Sequence, residues 1–156
     1  MKIPIFKLEF EKSFVKNYKK FSEKIFLSDS LSEGNYTKQF EKKFRLKNRS
    51  DYSLAISSGT AALEVAFRAI NIKNFEVILP TNTFFGTSIP VIRAGGKVVL
   101  CDNADTSPEM CIEKLKKKIT KKTKAICVVH VGGIIYSKIK ELVNLCKQKK
   151  IYLVED

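Results

Sequence analysis

The sequence predicts an α/β fold, a mostly parallel sheet with helices on both faces. Two observations carry this expectation. After about residue 50, short β-rich runs alternate with helical stretches, the pattern of parallel βα units. The residues best suited to hold a ligand also fall just after strand ends, where such sheets bind their ligands.

The elements follow in order. Phe10, Phe14, Tyr18, Phe21 and Ile25 recur at steps of three and four and predict an amphipathic helix over 10–26. Ser28-Asp29-Ser30-Leu31-Ser32-Glu33-Gly34-Asn35 breaks it. Tyr36, Phe40 and Phe44 then mark a second short helix. Strands are expected at 52–57, 75–79, 97–101, 125–131 and 151–154, with helices at 59–71, 84–93, 110–119 and 137–149. Residues 1–50 read as an N-terminal helical segment and 51–156 as an α/β region. No internal repeat, low-complexity stretch or linker interrupts the second region.

With 156 residues, 44% of them hydrophobic, the chain is long enough for one ordinary core. No apolar run approaches the roughly 18 residues that span a bilayer. Met1-Lys2-Ile3-Pro4-Ile5-Phe6-Lys7 is too interrupted for a signal peptide, so a cytoplasmic protein without a membrane partner is expected. Cys101, Cys111, Cys127 and Cys146 form no Cys-x-x-Cys pair and lie in or beside apolar runs, as reduced, packed thiols do. Cys127 and His130 have a Cys-x-x-His spacing, but Val128 and Val129 between them read as strand and no second ligand pair follows. No metal site is expected.

The formal net charge of +13 suits a polyanionic partner. Its make-up points elsewhere. Of 29 basic residues only Arg45, Arg49, Arg68 and Arg93 are arginine, the residue that base readout and bidentate phosphate contacts favour. Much of the excess lies between Lys114 and Lys124, where Ile112, Leu115 and Ile119 still mark one apolar helix face. A solvated helix face explains that run more simply than a nucleic-acid patch.

Three short segments carry chemistry. In Ser57-Ser58-Gly59-Thr60-Ala61, Gly59 lets a ligand approach the backbone, and the Thr60 and Ala61 N–H groups open a helix without partners inside it. Such a start, with the helix dipole behind it, is a phosphate seat. Taken alone, the same letters favour the plainer reading, a helix capped by Ser57 or Ser58 with no ligand. The segment is neither a Walker A loop nor a three-glycine dinucleotide fingerprint. Pro80-Thr81-Asn82-Thr83-Phe84-Phe85-Gly86-Thr87 places two rings at a strand end, where one could stack on a flat heterocycle or simply fill the core. His130 also falls at a strand's end and reads first as a structural histidine.

The order of these pieces resembles the DegT/DnrJ/EryC1/StrS family of sugar aminotransferases, pyridoxal-phosphate enzymes of the aspartate-aminotransferase fold (fold type I). The resemblance begins at Leu31-Ser32-Glu33-Gly34 with Phe40-Glu41, and continues through Ser58-Gly59-Thr60-Ala61-Ala62-Leu63, Glu76-Val77-Ile78-Leu79-Pro80 and Thr83-Phe84-Phe85-Gly86-Thr87. It closes with Ala94-Gly95-Gly96, Asp102, Thr123-Lys124-Ala125, Val129-His130 and Val154-Glu155-Asp156. Single pieces are weak signals; this many in order is a strong one.

The resemblance implies a cofactor, pyridoxal 5'-phosphate. The backbone of Thr60 and Ala61 would hold its phosphate with access given by Gly59, Phe84 would stack on its ring, and Asp156 would pair with the ring nitrogen. It implies an amino donor such as glutamate, a nucleotide-linked keto-sugar as acceptor, a homodimer when intact, and a place in surface polysaccharide or deoxysugar biosynthesis. Residues 51–156 would then be the first part of the cofactor-binding large domain.

The departures shape the expectation further. The family's Schiff-base lysine lies beyond the aspartate, and no lysine follows Asp156 here. No catalytic residue is therefore assigned, and the chain is expected to be an N-terminal portion that is inactive alone. Gly132-Gly133-Ile134 replaces the family's more common Gly-Gln/Asn-Pro neighbourhood, which reads as a subfamily difference. The alternatives are a non-catalytic phosphate- or nucleotide-binding α/β module and a basic nucleic-acid-binding protein.

Overall fold

Backbone N–H and C=O groups must find partners, and the β-branched runs of this chain find them in one four-stranded parallel sheet. The computed structural model describes residues 7–28 and 30–156. The stretch judged unlike a signal peptide, up to Phe6, and Asp29 in the break after the first helix lie outside the described residues. The chain divides into two compact units, Met1–Ala55 and Ile56–Asp156.

The first unit holds α1 (Lys12–Phe26) and α2 (Asn35–Asn48). The expected aromatic periodicity shows as ring contacts along α1, Phe10 to Phe14 at 5.2 Å and Phe14 to Tyr18 at 6.5 Å between centroids. Phe21 meets Tyr36 edge-on at 5.4 Å. Helix α2 ends where Arg49 turns left-handed at φ 52° and its N–H closes back on the last turn.

The expected strand at 52–57 does not form. Tyr52 and Leu54 are exposed and, among the described residues, no strand pairs with this stretch. A β-rich run gains little without a neighbour to complete its ladder. Its backbone is tied down instead by a carboxylate, the Ala55 N–H donating to Glu41 Oε1 at 2.9 Å.

The second unit runs α3 (Gly59–Ala69), β1 (Glu76–Pro80), α4 (Phe85–Arg93), β2 (Lys97–Cys101), α5 (Ile112–Lys118), β3 (Thr123–Val128), α6 (Ile139–Lys149) and β4 (Tyr152–Glu155). The strands lie in the order β2-β1-β3-β4, every pair parallel. Side chains alternate across the sheet with period two. Val77 and Leu79 join Phe67, Val91, Ala125 and Cys127 on the face that packs with α3 and α4. Ile78 joins Leu115, Ile126, Val128, Leu142 and Cys146 on the face covered by α5 and α6. Helices therefore cover both faces, as expected. Phe67, Leu79, Ile78 and Leu142 are fully buried. Truncating any of them to Ala should cost about 2–5 kcal/mol.

The strand order positions the site. From β1 the chain moves outward to β2, then returns past β1 to β3 and β4. The reversal opens a crevice at the carboxyl ends of β1 and β3, the place where open α/β sheets bind ligands.

Candidate functional site: a cleft at the carboxyl ends of the strands

Three chain segments converge on the crevice. The first is the start of α3. Ser58, in extended conformation, is its N-cap, and its Oγ accepts the Ala61 N–H at 3.2 Å. The helix start and a serine cap, both suggested by the sequence, are present. Ala61 is engaged by the cap, while the Gly59 and Thr60 N–H groups have no partner within the helix. A Cβ placed on Gly59 would meet nothing within 4 Å. Packing gives no reason for a glycine there.

The second segment follows β1. Phe84 is the N-cap residue of α4, two-thirds exposed, with its ring centroid 3.9 Å from that of Phe85. Gly86 permits this arrangement. A Cβ on it would lie 2.8 Å from Phe84 Cδ1 and 2.9 Å from Thr60 Oγ1, so the first turns of α3 and α4 meet only because the side chain is absent. Thr87 in the same turn is buried.

The third segment is the end of β4. Asp156 extends the parallel ladder past β4, donating its N–H to Val128 O at 2.9 Å and accepting the His130 N–H on its own carbonyl at 2.9 Å. Its side chain falls on the α3–α4 face, since Val154, two residues earlier, packs there. Thr87 donates to Asp156 Oδ2 at 2.6 Å, and Thr83 Oγ1 lies 2.8 Å from Thr87 Oγ1.

Gly59, Thr60, Phe84 and Asp156 line one cleft of about 340 Å³ together with Thr83 and Thr87. Of the residues expected at a cofactor site, only Ala61 stands outside the lining, one residue further into α3. Sequence reading gave no role to Thr87, whose partner is 69 residues away along the chain.

His130 does not reach into this cleft. Its Nδ1 accepts the Tyr136 N–H at 3.1 Å, which places the ring proton on Nε2, 3.0 Å from Glu155 Oε2. Both ring nitrogens are spent on holding the turn after β3 and the end of β4, as a structural histidine would be. Cys127 lies beneath the site on β3. Burial first, and then the nearby Asp156 charge, push its thiol far above the ordinary range, so it is an inert core residue. Among the described residues no cluster of His, Cys, Asp and Glu could hold a metal ion, and no helix is long and apolar enough to cross a membrane.

The DegT/DnrJ/EryC1/StrS aminotransferase family matches residues 13–156. The chain belongs to that family. It is similar to the GDP-perosamine synthase of Escherichia coli O157:H7, 34% identical over 126 residues that make up 80% of this chain and 34% of that one. The GDP-perosamine synthase of Vibrio cholerae is 32% identical over 142 residues, 86% of this chain and 38% of its own length. The chain thus spans about a third of the length of these curated relatives.

Solved structures agree on the fold. The aminotransferase from Psychrobacter cryohalolentis superposes with a TM-score of 0.84 at 28% identity, over 93% of this chain and 37% of that one. NtdA from Bacillus subtilis with bound cofactor PMP superposes with a TM-score of 0.84 at 26% identity, over 93% and 33%. The chain accordingly has part of the fold-type I architecture, with the parallel sheet and helices on both faces expected of it.

Proposed function

We propose that this chain builds the phosphate, ring-face and ring-nitrogen side of a pyridoxal 5'-phosphate site. The reaction is amino transfer from a donor such as glutamate to a nucleotide-linked keto-sugar. The observation that carries this reading is the cleft itself. Gly59, Thr60, Phe84 and Asp156, spread over a hundred residues of chain, line one cavity at the carboxyl ends of the strands.

The residues present fit the cofactor. The first-turn N–H groups of Gly59 and Thr60, with open space above Gly59, suit a phosphate dianion. The exposed Phe84 ring can cover a flat heterocycle and exclude water from that side. Asp156 Oδ2 is occupied by Thr87, while Oδ1 accepts no hydrogen bond among the described residues and is free for a ring N–H. When bound, pyridoxal 5'-phosphate supplies an electron sink whose strength depends on a protonated ring nitrogen. Asp156 would hold that proton.

Among the described residues, no lysine lines the cleft. The nucleophilic amine of the reaction is therefore assigned to residues other than these, and the 156-residue chain by itself is expected to be inactive. The keto-sugar acceptor, a role in polysaccharide or deoxysugar biosynthesis, a cytoplasmic location and a homodimer of the whole protein belong to the same reading. Its support is family membership and the sugar-modifying relatives.

Incubation with pyridoxal phosphate, borohydride reduction and peptide mapping test the proposal. Scattered, substoichiometric adducts on surface lysines are expected. A single stoichiometric lysine adduct accompanied by amino transfer would contradict it. Phosphate binding with no preference for the pyridine compound would instead favour a non-catalytic phosphate-binding module.

A further inference from the structure

Asp156 is held at three points, two on its backbone and one on its carboxylate. Its N–H is bound to Val128 O and its carbonyl to the His130 N–H, so the side chain turns about a fixed backbone. The third is the 2.6 Å bond from Thr87 Oγ1 to Oδ2. An ionised carboxylate only accepts, so the Thr87 hydroxyl proton must point at Asp156. The 2.8 Å contact between Thr83 and Thr87 hydroxyls then has one possible direction, Thr83 donating to Thr87. Two threonines one helical turn apart, at the entry and in the first turn of α4, form a directed chain ending on the carboxylate.

We infer that Thr87, backed by Thr83, is a positioning residue: it occupies Oδ2 and fixes the carboxylate rotamer, leaving Oδ1 to accept a hydrogen bond from the ring N–H. The inference rests on the cofactor reading above and adds to it the group that orients the aspartate. Physical chemistry supports the assignment. A chain of donors strengthens its last bond, here the one that holds Oδ2. Without it, the Asp156 side chain is free to turn about its backbone, and Oδ1 is no longer aimed at one place in the cleft. Thr87 itself is 3% exposed, so water does not replace its hydroxyl at no cost.

A purely packing role for Thr87 is separable from this one by isosteric change. Thr87→Val keeps shape and loses the donor; Thr87→Ser keeps the donor and loses a methyl group. The probes are pyridoxamine 5'-phosphate, which needs no lysine to bind, and its analogue with C–H in place of the ring nitrogen. Both are titrated into the full chain and its variants by calorimetry, with circular dichroism to confirm folding. The bound ring nitrogen is followed by its ¹⁵N resonance.

Wild type and Thr87→Ser should bind pyridoxamine phosphate on the order of tenfold more tightly than Thr87→Val, the value of one bond to a charged group. All three should bind the nitrogen-free analogue alike, and the resonance should move toward the unprotonated position in Thr87→Val alone. Equal behaviour of the Val and Ser variants, or loss of analogue binding in parallel, overturns the positioning role and leaves the cofactor reading standing. A wild-type chain that fails to discriminate the two probes overturns the cofactor reading, and this inference with it. Should Thr87→Val not fold, Thr83→Val must reproduce its effect at reduced size, and its failure to do so overturns the relay.

Discussion

His130 and Glu155 join the carboxyl ends of β3 and β4, Nε2 to Oε2 at 3.0 Å, on the face of the sheet that Asp156 does not use. Successive residues of a strand point to opposite faces, so Glu155 and Asp156 divide the labour. One braces the frame and the other faces the cleft.

Replacing His130 with Ala should therefore act on stability and leave the ligand alone. It removes the acceptor of the Tyr136 N–H and the donor to Glu155, at a cost of about 1–2 kcal/mol. Urea unfolding checks the loss, and calorimetric titration with inorganic phosphate should show an affinity changed by less than about twofold. An intact fold with phosphate binding abolished would instead place the imidazole in the site.

Gly59→Ala is expected to have effects of opposite sign. The new methyl meets no protein atom, and alanine is the better helix former, so stability should rise by up to about 1 kcal/mol. The same methyl occupies the approach to the first-turn N–H groups, so phosphate affinity should fall severalfold or more. Thermal melting and a phosphate titration on one sample decide it; unchanged affinity would remove Gly59 from the seat.

Ser58→Ala gives the complementary result. Losing the side-chain cap should destabilise the chain by about 1 kcal/mol. It also frees the Ala61 N–H, so phosphate affinity should stay level or rise. A marked fall in affinity would mean that the Ser58 hydroxyl contacts the ligand itself.

These contrasts show where the letters of the sequence were informative. The start of α3 at Gly59, the run of β1 and the buried face of α5 follow from local periodicity and turn chemistry, and the structure has them close to where the pattern puts them. The Lys114–Lys118 run is a solvated face, with Lys116 paired to Glu113 and Glu141 while Ile112 and Leu115 are buried beneath. Residues 52–57 misled because β propensity says nothing about whether a neighbour exists to pair with. The Thr87–Asp156 bond had no local signal at all, since only the sheet order brings positions so far apart together.

Alkaline pH should loosen the second unit through its thiols. Burial raises Cys101 and Cys146 each to about 11, from an ordinary value near 9, and raises Cys127 further. A folded-state value above the unfolded one means that the folded chain holds its protons longer. This contribution to stability is full below about pH 9 and is lost as pH rises through about 11. Melting temperatures across pH 8–11 should fall more steeply for wild type than for Cys127→Ala. At pH 8, iodoacetamide should label Cys111, the one cysteine not buried, before the other three.

The proposed role of this chain is to supply the phosphate, ring and ring-nitrogen side of a transaminase site. Co-expression with the downstream segment of a close relative, which contributes a Schiff-base lysine, tests it most directly. Amino transfer to a nucleotide-linked keto-sugar is measured for the wild-type chain and for Asp156→Ala. Cofactor-dependent transfer is expected with the wild-type chain, and loss of most of that turnover with the variant, because an unprotonated ring nitrogen withdraws electrons poorly. Equal turnover of a reconstituted Asp156→Ala enzyme would contradict it.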